Sequence, residues 1–182
     1  MNKQEKLRIL ETAVQDPAIC RCWFSYDENY FYYYPNAVND TFLLGQEEDD
    51  FLLDGYAIRK ISQLRRLEVK DDACHTINTI NGITAQIRRP DVDISSWQTV
   101  FHSLKALNTL ILVGDAVNEE LALGRIETVL KSRLYFREFD ANGVWSEETL
   151  VIPYSCITHV KWNTRYLTTW ERYLQTLGRL PS

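Results

Sequence analysis

The sequence predicts a mainly β protein with helices, an α+β chain made of two copies of one small barrel-like unit, each opened by a helix. Three observations predict it. First, the second half repeats the first: adding 92 or 93 to a residue number usually lands on the same kind of residue. Asn2 and Glu5 fall on Ser95 and Gln98, Leu7 and Val14 on Val100 and Leu107. Phe42 and Leu44 fall on Leu134 and Phe136, Leu64 and Leu67 on Ile157 and Val160. A fixed period marks each copy as one structural unit. Second, each copy opens on a helical apolar stripe behind a capping signal. Third, five short runs of strand-forming residues follow each helix, with small turns between them, and closing such strands into a barrel removes exposed edges. Pro90-Asp91 is the natural boundary, giving units 1–90 and 91–182.

The elements follow in order. Residues 2–15 read as a helix, with Asn2 as cap and Glu5 completing a capping box. Leu7, Leu10 and Val14 share one face, with Ile9 beside it. Asp16-Pro17 ends the helix, because the residue before proline avoids helical geometry. Strands are expected at 19–26, 29–34, 40–46, 51–61 and 64–69, with turns at Pro35-Asn36 and Asp54-Gly55. Segment 71–83 is rich in Thr, Asn and β-branched residues and fits a helix less well. The second copy opens on a helix at 96–107, capped by Ser95 with Gln98, burying Trp97, Val100, Phe101, Leu104 and Leu107. Strands are expected at 109–117, 122–130, 133–140, 148–154 and 157–162, with a turn at Asp140-Ala141-Asn142-Gly143. The tail 164–177 reads as a helix on Tyr166, Trp170, Tyr173, Leu174 and Leu177.

Composition bounds the function. The 45% hydrophobic and 25% charged fractions are those of an ordinary globular protein. The 22 Trp, Tyr and Phe residues argue against disorder. A net charge of −5 is the wrong sign for binding nucleic acid through bulk electrostatics. Met1 to Arg8 is polar with no apolar core behind it, so no secretory leader is expected. No apolar run reaches the roughly 18 residues that span a bilayer. Together with four cysteines, Cys20, Cys22, Cys74 and Cys156, that do not keep the repeat spacing, these point to a cytoplasmic protein with reduced thiols.

The order of helix and five strands resembles the Sm-like small barrel. Leu110-Ile111-Leu112-Val113-Gly114-Asp115-Ala116 is similar to its first strand and turn, Gly124-Arg125-Ile126 to its glycine-started second strand, and Leu134-Tyr135-Phe136 to its third. Ile152-Pro153-Tyr154-Ser155-Cys156-Ile157 resembles the junction of the fourth and fifth strands, with Ile58-Arg59-Lys60-Ile61-Ser62-Gln63-Leu64 as the weaker parallel in the first copy. The chain thus resembles two Sm-like domains in tandem, as in uncharacterised conserved bacterial proteins; other SH3-like barrels share the pattern. The family's RNA-contacting residues are not carried over. Its Asp and Asn positions fall near Leu130 and Arg133, and near Val38 and Thr41. Its Arg-Gly pair becomes Pro153-Tyr154 and Lys60-Ile61, and Tyr154-Ser155 stands where bacterial RNA chaperones carry Lys-His. A shared fold does not transfer function when the contact residues differ.

Candidate sites are few. In Tyr30-Phe31-Tyr32-Tyr33-Tyr34, strand alternation sends Tyr30, Tyr32 and Tyr34 to one face. One aromatic face must be core; the other offers contact area with polar tips. Arg59-Lys60, Arg65-Arg66, Lys70 and Arg88-Arg89 supply positive charge. The candidate contact surface is therefore Tyr30, Tyr32, Tyr34, Arg59, Lys60, Arg65 and Arg66. Glu47-Glu48-Asp49-Asp50 with Asp54 lacks the spacing of a calcium loop and reads as a solvated loop. Cys20-x-Cys22 with Cys74-His75 lacks zinc-site spacing. His102 and His159 have no nucleophile-and-acid arrangement beside them in sequence.

The sequence thus leads to a non-enzymatic interaction or assembly module of two Sm-like barrels, without cofactor or metal. It would bind one or more protein partners and form homo-oligomers through barrel edges. The alternative is RNA binding by a non-standard Sm-like surface.

Overall fold

The computed structural model describes residues 1–116 and 118–180. It divides into two compact units, Met1–Ile94 and Ser95–Ser182. The expected strand 109–117 ends on Val117, which lies outside the described residues, as do the last two residues of the expected unit 91–182.

The first unit runs α1 (Lys3–Gln15), β1 (Ile19–Phe24), β2 (Tyr30–Val38), β3 (Phe42–Asp49), β4 (Leu52–Lys60), a 3₁₀ turn at Ile61–Gln63, β5 (Leu64–Lys70) and α2 (Ala73–Ile80). Asn2 caps α1, its side-chain oxygen accepting from the Glu5 N–H at 2.9 Å. The sheet order is β5-β1-β2-β3-β4, all antiparallel. One face packs under α1, where Leu10 and Ala13 meet Cys20, Cys22, Phe24, Tyr33, Leu43 and Leu67. The opposite face holds Ile19 and Tyr34 beneath Ile83, with Cys74 and Ile87 packed against them.

The second unit repeats this order as α3 (Trp97–Leu107), β6 (Ile111–Asp115), β7 (Glu120–Val129), β8 (Arg133–Glu138), β9 (Leu150–Pro153), β10 (His159–Trp162) and α4 (Arg165–Thr176). Its strands lie in the corresponding order β10-β6-β7-β8-β9. α3 buries Trp97, Val100, Phe101 and Leu104, and Phe101 stacks on Tyr154 at 5.5 Å. α4 buries Leu167 and Leu174 in a cluster with Leu110 and Phe139, against which Leu112, Leu123 and Trp170 pack. Two glycines fix strand contacts here. A Cβ on Gly124 would lie 1.9 Å from the Arg137 carbonyl, and one on Gly114 would lie 2.0 Å from the His159 ring.

Neither unit closes into a barrel. In the first, β4 and β5 are the two ends of the order and do not pair with each other; in the second, β9 and β10 stand likewise. Closure requires the end strands to meet with a fixed stagger. Here helices cover the sheet faces instead, and the fold is α+β with ten antiparallel strands among the described residues, in open sheets. The expected pair of Sm-like or SH3-like barrels is therefore corrected. With it go the barrel edges expected to mediate homo-oligomers.

Local differences have local causes. Pro35-Asn36 is not a turn: β2 continues through it by a register shift between Pro35 and Ala37, and proline tolerates a strand at such a bulge. The turn comes at Asn39, whose side-chain oxygen accepts from the N–H groups of Thr41 at 2.8 Å and Phe42 at 2.7 Å. Asp54-Gly55 lies inside β4, opposite a register shift in β3, with Gly55 at φ 72°. The β3–β4 turn is Asp50-Phe51, both at positive φ, as a two-residue hairpin with right-handed twist requires. The cap of α3 is Ser96, not Ser95, and it exchanges hydrogen bonds with Thr99 instead of Gln98. Segment 71–83 does contain a helix, because Asp72 caps it through the Cys74 N–H and Asn78 anchors it to the Tyr34 hydroxyl.

Candidate functional site

The site begins with alternation along β1. Cys20, Cys22 and Phe24 point under α1, so Arg21 and Trp23 emerge on the other face. Pairing then sets their neighbours. Arg21 lies opposite Tyr32 on β2 and Glu68 on β5; Trp23 lies opposite Tyr30 and Arg66. Cross-strand pairs stand close enough for long side chains to interlock.

The Arg21 guanidinium carbon lies 4.6 Å from the Tyr30 ring centre, 5.2 Å from Tyr32 and 5.7 Å from Trp23. The Arg66 guanidinium carbon lies 4.6 Å from the Trp23 ring centre. Trp23 meets Tyr30 edge-on at 5.5 Å, and Tyr30 meets Tyr32 at 5.3 Å. Cation–π attraction and edge-to-face packing both favour this order. Arg21 donates through Nε and Nη2 to the Tyr32 hydroxyl, at 3.1 and 2.5 Å, which raises its pKa further. Glu68 bridges the two cations, 3.6 Å from Arg21 and in direct contact with Arg66. Tyr30 is 44% exposed and the Arg66 side chain 66%, so the cluster is held in place yet open to solvent.

The structure brings together Tyr30, Tyr32 and Arg66 from the residues read off the sequence. Arg65 is exposed next to Arg66 on β5. Tyr34 shares their strand face, but α2 and Ile83 bury it, and burial raises its phenol to about 12. Arg59 and Lys60 lie on β4, two strands beyond β2. Lys60 is half-buried at the strand end. Arg59 is only 2% exposed, lying 3.0 Å from Asp27 and between the Phe24 and Phe31 rings. It donates to the Tyr33 hydroxyl at 3.3 Å, which donates to Glu47 at 2.9 Å. Sequence reading missed Arg21 and Trp23. The signal was there: once Cys20 and Cys22 are assigned inward, Arg21 and Trp23 must face outward beside the tyrosines.

The other candidates separate. The acidic run is not one solvated loop, because Glu47 and Glu48 are buried strand residues and only Asp49 and Asp50 are exposed. Cys20 and Cys22 lie under α1, whereas Cys74 packs on the opposite face of the sheet. Among the described residues no group of His, Cys, Asp and Glu could hold a metal ion. His102 is exposed on α3, and His159 is buried with Nδ1 3.1 Å from the Thr158 hydroxyl. No helix among the described residues is long and apolar enough to cross a membrane.

No family model matches the chain, and no curated protein and no solved structure matches it. The resemblance to Sm-like proteins is thus a matter of element order and hydrophobic pattern alone, and the open sheets overturn it. The functions drawn from it, a barrel-based assembly module and an Sm-like RNA binder, lose their basis.

Proposed function

We propose that this protein is a non-catalytic binding protein whose contact surface is the arginine–aromatic face of β1, β2 and β5. The observation that carries this is the interleaving of Arg21 and Arg66 with Trp23, Tyr30 and Tyr32 on a strand face where Tyr30 and Arg66 are exposed and the others half-buried. Trp, Tyr and Arg are the residue types that dominate binding hot spots. Mutual packing here fixes their rotamers before a ligand arrives, which lowers the entropy lost on binding.

The chemistry of the face selects the ligand. Arg66 keeps donor positions open beyond its contact with Glu68, and guanidinium pairs best with a carboxylate. Trp23 and Tyr30 offer flat apolar area beside it. The matching ligand is a peptide segment with an acidic residue next to a large apolar one. A long polyanion is disfavoured, because residues 1–94 carry sixteen Asp and Glu against eleven Lys and Arg. The four free thiols fit a reducing compartment such as the cytoplasm.

Selection from a random peptide display library on the immobilised protein tests this. Enriched peptides are expected to pair Asp or Glu with Leu, Phe or Trp, and to lose binding to the Trp23→Ala and Arg66→Glu proteins. Failure to enrich, or enrichment that both variants retain, would refute the proposal.

A further inference from the structure

A cleft of about 380 Å³ opens in the second unit between the end of α3 and strands β7 and β8. Its charged lining is Lys105, Arg125, Glu127 and Arg137, and Leu104 and Trp145 are apolar walls. The placement of the arginines is unusual. Arg125 and Arg137 are directly opposed cross-strand partners, and like charges in that position repel. Each is offset by one carboxylate: Glu171 lies 3.6 Å from Arg125, and Glu127 lies 2.5 Å from Arg137. Lys105 adds a third cation and donates to the Glu127 carbonyl at 2.5 Å. Three cations thus meet one carboxylate, Glu127, in the cavity lining, in a stretch where residues 95–182 balance nine bases against nine acids. Trp145 is held as a wall, because its indole N–H donates to the Arg179 carbonyl at 2.7 Å.

We propose that this cleft binds a small molecule carrying a phosphoryl group, its oxygens placed between Arg125, Arg137 and Lys105 and its planar organic part against Trp145 and Leu104. A dianionic phosphate relieves the opposed arginines, and the Arg137 guanidinium has five donors, more than its contact with Glu127 uses. The cavity lies in the size range of small-molecule sites. This site is independent of the peptide-binding face.

Titration calorimetry with phenyl phosphate on the full chain is the test, with inorganic phosphate and benzoate as separate arms. Phenyl phosphate is expected to bind more tightly than either, since each lacks one half of the match. Arg137→Gln, at a half-exposed position, is expected to weaken binding about tenfold or more, as loss of a charge-assisted hydrogen bond does. Lys105→Gln is expected to weaken it less. Glu127→Gln is expected to tighten it, because it removes a competing carboxylate while keeping a polar side chain of the same length. This opposite sign separates a binding role from a structural one. If Arg137→Gln does not fold, the Lys105 and Glu127 variants decide. No phenyl phosphate binding, or affinity unchanged across the folded variants, would overturn the proposal.

Discussion

Arg59 ties the β1–β2 turn to the core of the first unit, pairing with Asp27 of the turn and donating to the buried Tyr33 hydroxyl. The Phe24 and Phe31 rings stand 4.6 and 4.7 Å from its guanidinium carbon. Removing one member of a buried pair leaves the other charge uncompensated, so Arg59→Met is expected to lower the unfolding free energy in urea by about 3–5 kcal/mol. Arg59 was legible as a cation but not as a buried one. Charge suggests surface, and only the pairing of β4 with β3, under the aromatics of β1 and β2, carries it inward. The cysteines show the same logic. Burial raises the Cys20 thiol to about 12 and the Cys22 thiol well above its usual range. At about pH 8 a thiol with that value is ionised in only about one molecule in ten thousand, and the thiolate is the reactive species. A disulfide reagent on the native protein is therefore expected to leave Cys20 and Cys22 unmodified, reacting at most with Cys74 and Cys156. All four should react after unfolding.

The β3–β4 hairpin carries a pH dependence of its own. Burial raises the Glu48 carboxyl above its usual value, with Asp49 and Asp50 adding to the effect. Its oxygen also accepts from the Phe51 N–H at 2.8 Å, across the turn at Asp50-Phe51. A raised carboxyl pKa means that the folded form binds the proton more tightly. The contribution is fully present below the usual carboxylate pKa and is lost as the pH rises through the raised folded value. Glu48→Gln keeps an acceptor for Phe51 and cannot ionise. Its stability advantage over the natural chain at about pH 7 is expected to narrow as the pH falls towards about 4, measured by urea unfolding across that range. An advantage that grows on acidification would show that the carboxylate is favoured by its surroundings. Most element types were legible, because alternation and the 3.6-residue stripe are local properties; the exception is segment 71–83, whose composition disfavours the helix Ala73–Ile80 that its Asp72 cap and Asn78 contact secure. Turn positions were less so. Pro35-Asn36 has turn composition, yet a bulge absorbs it, and Asp50-Phe51 lacks the glycine that usually announces a hairpin.

At the scale of the molecule, the repeat has a structural counterpart. Phe42 and Leu44 lie on the third strand of one unit, Leu134 and Phe136 on the third of the other, and the strand order is shared. Closure was not legible. Five short strands behind a helix are compatible with a barrel or an open sheet, and the choice depends on what covers the faces. The segments that cover them, α2 with Ile83 in one unit and α4 in the other, lie where the copies diverge most in sequence. In the first unit, α2 and Ile83 cover Tyr34 and the edge of Tyr32 and leave Tyr30 and Arg66 exposed. Substitution of an exposed hot-spot residue costs binding without costing the fold. The most direct measurement is the affinity of a selected acidic-apolar peptide for the natural chain and for Arg66→Glu, with the urea midpoint of each measured alongside. A loss of about tenfold or more at an unchanged midpoint is the expected result. An unchanged affinity, with both proteins folded, would contradict the assignment of this face.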